Sequence, residues 1–426
     1  MPGVRILALA SSVAWLPTNA QAVPVSPHGP GAVEHVVEQY AWLLLGAALV
    51  GMLAWRLNIP HAVALFLGGL LVAQSGLVSV PDLNPRLLLF VFLPPLLFDA
   101  AFRLDARQLR IVSRPVLLLA IPGVLISTLI VGVVLATFLH LPLTIALLFG
   151  SIVAATDPVA VISVFKHLRV PDRLAVIVEA ESLINDGMAI TVYITLLDLV
   201  ITGSADAGNS LLLFGREVIG GLLVGAVLGF LFSRLTSLVD DHQVEMMLST
   251  ALAYGSFLIA QRLEASGALA CVAAGLIHGS YGREVGMTHS IRQRLDDLWE
   301  YLGFVANALV FLLLGFTVDL RALAADAWPA LLAIIAVLVA RVLMIALTAR
   351  VTPPQMRMAR SRPERAILIW GGFRGALTAA LALALPGTVP HRELLIAMAF
   401  GVVLFTLVVQ GLTLPLLIRR LGLTQP

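Results

Sequence analysis

The sequence predicts an all-α membrane protein with thirteen transmembrane helices, arranged as two inverted six-helix repeats with discontinuous crossing helices. Three observations predict it: a composition too apolar for a soluble domain, thirteen apolar segments parted by turn-formers and charges, and helix-breaking motifs at matching depth in two segments of opposite direction. Of 426 residues, 59% are hydrophobic and 12% charged, with mean hydropathy +0.98; soluble domains carry about 25% charged residues. So few charges cannot cover a soluble surface, and apolar runs of about 20 residues match about 30 Å of hydrocarbon. The net charge of +2 reflects arginine-rich loops, not a nucleic-acid patch. Cys271, the single cysteine, permits no intrachain disulfide and no thiolate metal site.

The segments run over 40–56, 60–79, 86–102, 115–139, 142–165, 174–197, 211–233, 244–261, 267–281, 299–318, 328–350, 365–386 and 394–418. Segment three is broken by Pro94-Pro95, and segment nine is short. Ahead of them, residues 1–22 hold Arg5, the apolar run Ile6–Leu16 and Ala20-Gln21-Ala22, the pattern of a signal peptide. An uncleaved helix is the competing reading of that stretch. No soluble regulatory domain is expected after Ile418.

Basic residues set the direction. If segment one ends in the cytoplasm, inside loops carry 19 Lys and Arg and outside loops five, Arg86, Arg216, Arg262, Arg321 and Arg392. Asymmetry of this size places the N-terminus outside and the C-terminus inside. Lys166, Arg169 and Arg173 are read as topology determinants within that count.

Five ionisable residues from four of the apolar segments fall in one slab near the midplane. At 1.5 Å per residue, Asp157 lies about 12 Å from the cytoplasmic end of segment five, and Glu181 and Asp186 about 10 and 18 Å into segment six. Arg341 and Arg374 lie about 14 and 13 Å into segments eleven and twelve. Charges at that depth are costly and mark functional sites by default. Segment five reads Thr156-Asp157-Pro158, and proline breaks the helix beside the carboxylate. Segment twelve reads Gly371-Gly372-Phe373-Arg374-Gly375, a second break at the same depth. The two segments are seven apart and therefore antiparallel. Segments one to six and eight to thirteen then form inverted repeats, and interrupted helices at corresponding positions point to a binding site.

In segment six, Glu181 and Asn185, and Ser182 and Asp186, are four residues apart on one broad helical face. Asp186, Asn185, Ser182, Thr156 and Asp157 offer oxygen and amide groups, a donor set for hard cations and not for zinc or copper. Na⁺, Li⁺ or K⁺ fits, and the same carboxylate accepts a proton instead. Arg341 cannot lose its proton and needs a partner; Glu181 is the first candidate and Arg374's partner the second possibility for that carboxylate. Arg374 is expected to compensate the broken ends in segment twelve and to reach Asp99, near the inner end of segment three. Bland readings stand beside these: His61 as a boundary residue, and Asn307 and Gln410 as interhelical hydrogen-bonding groups.

The motifs Thr156-Asp157-Pro158-Val159-Ala160-Val161, Glu181-Ser182-Leu183-Ile184-Asn185-Asp186-Gly187, Phe92-Leu93-Pro94-Pro95-Leu96-Leu97-Phe98-Asp99, Ala340-Arg341-Val342 and Gly371-Gly372-Phe373-Arg374-Gly375-Ala376 resemble the cation/proton antiporter superfamily. They look like its electroneutral branch of prokaryotic NhaP proteins and NHE exchangers. The resemblance implies a homodimer in which a core moves against a dimer domain. Dimer-domain helices 1–3 would span 40–102, core helices 4–6 span 115–197, linker helix 7 span 211–233, dimer-domain helices 8–10 span 244–318 and core helices 11–13 span 328–418. It also implies an inner-membrane exchanger of Na⁺ or Li⁺ for H⁺ that serves pH and sodium homeostasis, with no cofactor. The cation would sit on Asp186, Asp157, Thr156 and Ser182, with Glu181–Arg341 structural. Asn185 before Asp186 matches the branch's pattern of one cation per proton. One departure is Asp99, where many relatives have glutamate.

Competing readings are a K⁺/H⁺ antiporter, a channel or sensor on the same fold, and an intramembrane enzyme. Two broken helices at one site favour alternating access over a pore. No HExxH motif or Ser–His spacing supports an enzyme.

Overall fold

Helices make up the architecture, with no strand among the described residues. The computed structural model describes residues 32–57, 59–75, 88–104, 106–203, 207–352 and 361–424. The expected leader at 1–22, and Arg86, Arg357 and Arg360 of the loop count, lie outside them.

In chain order the helices are α1 (Ala32–Leu57), α2 (His61–Ser75), α3 (Leu93–Arg103), α4 (Ala106–Ala120), α5 (Pro122–Leu139), α6 (Leu143–Ile152), α7 (Val159–His167), α8 (Asp172–Thr202), α9 (Ala207–Thr236), α10 (His242–Arg262), α11 (Gly267–Ile277), α12 (His289–Thr317), α13 (Leu320–Ala325), α14 (Ala327–Val351), α15 (Arg362–Trp370), α16 (Ala376–Leu383), α17 (Arg392–Leu404) and α18 (Gly411–Arg420). π-helical turns at Leu88–Phe92, His278–Gly282 and Phe405–Gln410 lead into α3, out of α11 and from α17 to α18. Among the described residues, seven stretches are long and apolar enough to cross a membrane: Tyr40–Leu57, Arg107–Leu139, Asp172–Thr202, Leu211–Thr236, His289–Thr317, Ala327–Val351 and Arg392–Arg420. The other apolar segments are shorter or interrupted, and the interruptions have local causes.

Pro94 and Pro95 fall in the first turn of α3, directly after a π turn, where a missing N–H forfeits little hydrogen bonding. Gly203, at φ 63°, ends α8 in the left-handed conformation that glycine adopts without steric cost. Asp241 caps α10 by accepting from the N–H groups of Gln243 and Val244 at 2.8 and 3.3 Å. Ser361 caps α15 through the Glu364 N–H at 3.3 Å, which satisfies a donor the first turn leaves open.

Two packing groups emerge. α2 and α3 pack on α12, and α11 packs on α9, α3 and α10. α5 packs on α6 and α14, α8 on α4 and α6, and α17 on α14 and α16. The groups meet where α8 packs on α11, α2 on α7 and α12 on α16. α1 lies at the rim, with Trp42 and Trp55 exposed, and most of α12 is interior. α2 and α12 approach so closely that a Cβ on Gly69 would meet the Gly315 Cα at 3.1 Å. Small residues permit such contact between apolar helices, where dispersion replaces hydrophobic drive.

Candidate functional site

The site begins with two helices that stop halfway. α6 ends at Ile152 and α7 starts at Val159, so residues 155–158 carry no regular structure, as the Asp157-Pro158 step requires. α15 ends at Trp370 and α16 starts at Ala376, with 372–375 equally irregular. The breaks touch: the Asp157 N–H donates to the Phe373 carbonyl at 2.9 Å. The Asp157 carboxylate accepts from the Val159 N–H at 3.0 Å and the Ala376 N–H at 3.4 Å. One side chain thus serves the N-termini of both half-helices, where unpaired donors and dipoles favour negative charge. Gly375 makes this possible, because a Cβ there would stand 2.7 Å from the Asp157 carboxyl carbon.

Arg374 supplies the opposite ends. Its Nε donates to the Val153 carbonyl at 2.8 Å and its Nη1 to the Gly372 carbonyl, covering acceptors freed in both broken segments. Thr406 locks its backbone, accepting from the Arg374 N–H at 3.1 Å and donating to its carbonyl at 3.0 Å. The expected reach to Asp99 is not made. Asp99 pairs instead with Arg103, one turn on in α3, at 2.7 Å, and Arg103 also faces Glu300 of α12 at 3.4 Å. A partner on its own helix outcompetes one across the bundle.

α8 passes the crossover with its polar face inward. Ser182 Oγ donates to the Thr156 carbonyl. Asn185 Nδ2 donates to Thr156 Oγ1 at 2.7 Å, and its Oδ1 accepts from the Thr156 N–H at 3.3 Å. Both ends of the Asn185 amide thus bond to Thr156, and Asn185 is not among the residues that line the cavity. Asp186 does line it, and Asp186 Oδ1 is buried without a hydrogen-bond partner among the described residues.

Glu181 and Arg341 meet in two parallel contacts, Nη1 with Oε1 and Nη2 with Oε2, the second at 3.0 Å. Arg341 also donates from Nε and Nη2 to the Leu368 carbonyl at 3.2 and 3.1 Å. Their side chains are 3% and 8% exposed, so the paired reading of Glu181 with Arg341 describes the geometry, and Arg374 does not take that place. Neither residue lines the cavity.

The cavity has a volume of about 340 Å³. Asp157, Asp186, Thr156 and Ser182 line it together with Asp99, Arg103, Lys166 and Glu300. Glu300 is 68% exposed, so the space reaches solvent at that end. His61, Asn307, Glu179 and Thr378 also line it. Sequence reasoning left His61 at the boundary, Asn307 as an interhelical hydrogen-bonding group and Lys166 as a topology marker, and it passed over Glu179 and Thr378. Glu179 had a usable signal, for it precedes Asp186 by two helical turns and shares its face. Thr378 had none, as a hydroxyl in an alanine-rich helix. Gln410, expected to bond across helices, keeps both amide atoms buried and unpartnered among the described residues.

Comparison with known proteins identifies the family and the fold. The family described as "Sodium/hydrogen exchanger, transmembrane" matches residues 44–420. The chain is 39% identical over 400 residues to the Na(+)/H(+) antiporter ApNhaP of Aphanothece halophytica, covering 93% of this chain and 77% of that one. It is 36% identical over 397 residues to the Na(+)/H(+) antiporter NhaH of Halobacillus dabanensis, covering 89% and 97%. The sodium proton antiporter MjNhaP1 of Methanocaldococcus jannaschii shares the fold, with TM-score 0.75 at 23% identity over 89% of this chain and 99% of that one. On the extent of the family match and these identities, the chain belongs to the sodium/hydrogen exchanger family.

Proposed function

We propose that the protein is a secondary active transporter of the inner membrane that exchanges Na⁺ or Li⁺ for H⁺, with Asp186 holding either a cation or a proton. One observation carries this reading. A carboxylate with an unpartnered buried oxygen stands at a crossing of two broken helices, in a cavity that reaches solvent. Asp157, Thr156 and Ser182 complete the oxygen donors, and Asn185 positions Thr156. At the crossing itself, apart from the charged groups nearer the mouth, stand three carboxylates (Asp157, Asp186 and Glu181) and two guanidiniums, Arg341 and Arg374. One negative charge is left over, which one monovalent cation or one proton neutralises, in keeping with a 1:1 electroneutral exchange.

The thirteen crossings, the inverted repeats and the division into core and dimer domains belong to the same reading, and the two packing groups support it. We assign the C-terminus to the cytoplasm, so the open end of the cavity at Arg103, Lys166 and Glu300 faces inward. A homodimer and a role in pH and sodium homeostasis are part of the same proposal. In everted vesicles holding a preset ΔpH, added Na⁺ dissipates the gradient. A response to K⁺ but not Na⁺ assigns the exchange to K⁺, and a response to membrane potential alone defeats exchange.

Two side chains test the geometry further. Gly375→Ala drives a methyl group into the Asp157 carboxylate, and Na⁺-dependent ΔpH dissipation is expected to fall at least about tenfold with the protein still in the membrane. Glu179 lies about 10 Å nearer the mouth than Asp186 on the same helix face, within electrostatic reach of Arg103 and Lys166. Glu179→Gln should raise the KM for Na⁺ about threefold at low ionic strength and less in concentrated choline chloride, since salt screens the long-range attraction that draws a cation to the mouth. A salt-independent shift would remove the steering role.

A further inference from the structure

The hydroxyls expected around the cation are held in place by hydrogen bonds that leave each a lone pair to offer. Thr156 Oγ1 accepts from Asn185 at 2.7 Å, and Ser182 Oγ donates to the Thr156 carbonyl. Apart from Asp99 Oδ1, which is ion-paired with Arg103, two buried oxygens of residues lining the same cavity have no hydrogen-bond partner among the described residues: Asp186 Oδ1 and Thr378 Oγ1. Thr378 is 1% exposed. Buried hydroxyls in folded proteins are almost always satisfied, and an exception calls for an absent water or ion. Thr378 stands in the first turn of α16, two residues beyond Ala376, whose N–H binds Asp157. Thr378, at the fixed end of that helix, therefore lines the same space as the two aspartates.

Resting on the exchange reading above, we propose that Thr378 Oγ is a ligand of the transported monovalent cation and helps set its choice among Li⁺, Na⁺ and K⁺. The chemistry suits it: a neutral oxygen on a rigid half-helix adds a donor for a hard cation without adding charge. The net charge of the occupied site is unchanged, so one cation still replaces one proton. The proton form uses the carboxylate and leaves Thr378 idle, which makes the hydroxyl a contact specific to the cation.

Thr378→Val keeps the shape and removes the oxygen, and Thr378→Ser keeps the oxygen. The measurements are ΔpH dissipation by Na⁺, Li⁺ and K⁺ in everted vesicles, and thermal unfolding of the detergent-solubilised protein in NaCl against choline chloride. Thr378→Val is expected to raise the KM for Na⁺ about tenfold, the loss typical of one bond to a charged partner, and to change the ratio of KM values for Li⁺ and Na⁺. It should unfold in choline chloride no earlier than wild type, because no hydrogen bond is lost, yet gain less from NaCl, since stabilisation by a ligand follows its affinity. Thr378→Ser should return the KM to within about twofold of wild type.

A wild-type KM, an unaltered Li⁺ to Na⁺ ratio or an undiminished gain from NaCl in Thr378→Val would overturn the assignment while leaving the exchange reading intact. Absence of any cation-driven ΔpH dissipation in wild type would defeat the exchange reading itself. If Thr378→Val does not reach the membrane, Thr378→Ala takes its place, with the same outcomes.

Discussion

Asp186→Asn is expected to abolish Na⁺-driven proton release in everted vesicles, with folded protein still present at wild-type levels. The amide keeps the size of the side chain but can neither bind a proton for transport nor offer negative charge. Because Asp186 Oδ1 has no hydrogen-bond partner among the described residues, the substitution breaks no structural bond at that atom. The loss should therefore fall on transport alone. Competition adds a second readout in the wild type. Where the proton-bound form dominates, lowering the pH by one unit raises the proton concentration tenfold and should raise the apparent KM for Na⁺ by about the same factor, as linkage between two ligands of one site demands. Full exchange by Asp186→Asn, or a KM indifferent to pH, would move the site elsewhere.

The second large effect concerns folding. Glu181→Ala and Arg341→Ala should each lower thermal stability and membrane yield severely, because removing one member of a buried ion pair leaves the other uncompensated, at a cost of about 3–5 kcal/mol. The pair lies behind the crossover and does not line the cavity, so its contribution is to hold α8 against α14. Replacing both with apolar residues should cost less than either single change, though not nothing, since Arg341 also covers the Leu368 carbonyl. Wild-type stability in both single variants, followed by thermal unfolding in detergent, would refute the structural role.

Several features of this protein are legible in its sequence alone. Asp157-Pro158 and Gly371–Gly375 announce helix breaks through covalent properties, the missing proline N–H and the missing glycine Cβ, which act at the residue itself. Full burial of Glu181, Arg341 and Arg374 and partial burial of Asp157 and Asp186 were equally readable, because each stands within a run of apolar neighbours, and an arginine in such a run must find acceptors, a carboxylate for Arg341 and backbone carbonyls for Arg374. The i, i+4 spacing placed Ser182 with Asp186 for the same local reason.

Partner choice was decided only in three dimensions. Asp99 faces Arg103 and not Arg374, Asn185 turns to Thr156 and away from the cavity, and Lys166 and His61 line the opening. Thr378 looks like any helical threonine until the cavity is seen, and its meaning lies in a hydrogen bond that is missing. The division has a physical basis. Chain-local chemistry sets where a helix stops and which residues are costly to bury, whereas satisfaction of each polar group depends on which distant donor or acceptor the packing of α3, α8, α12 and α16 brings within about 3 Å.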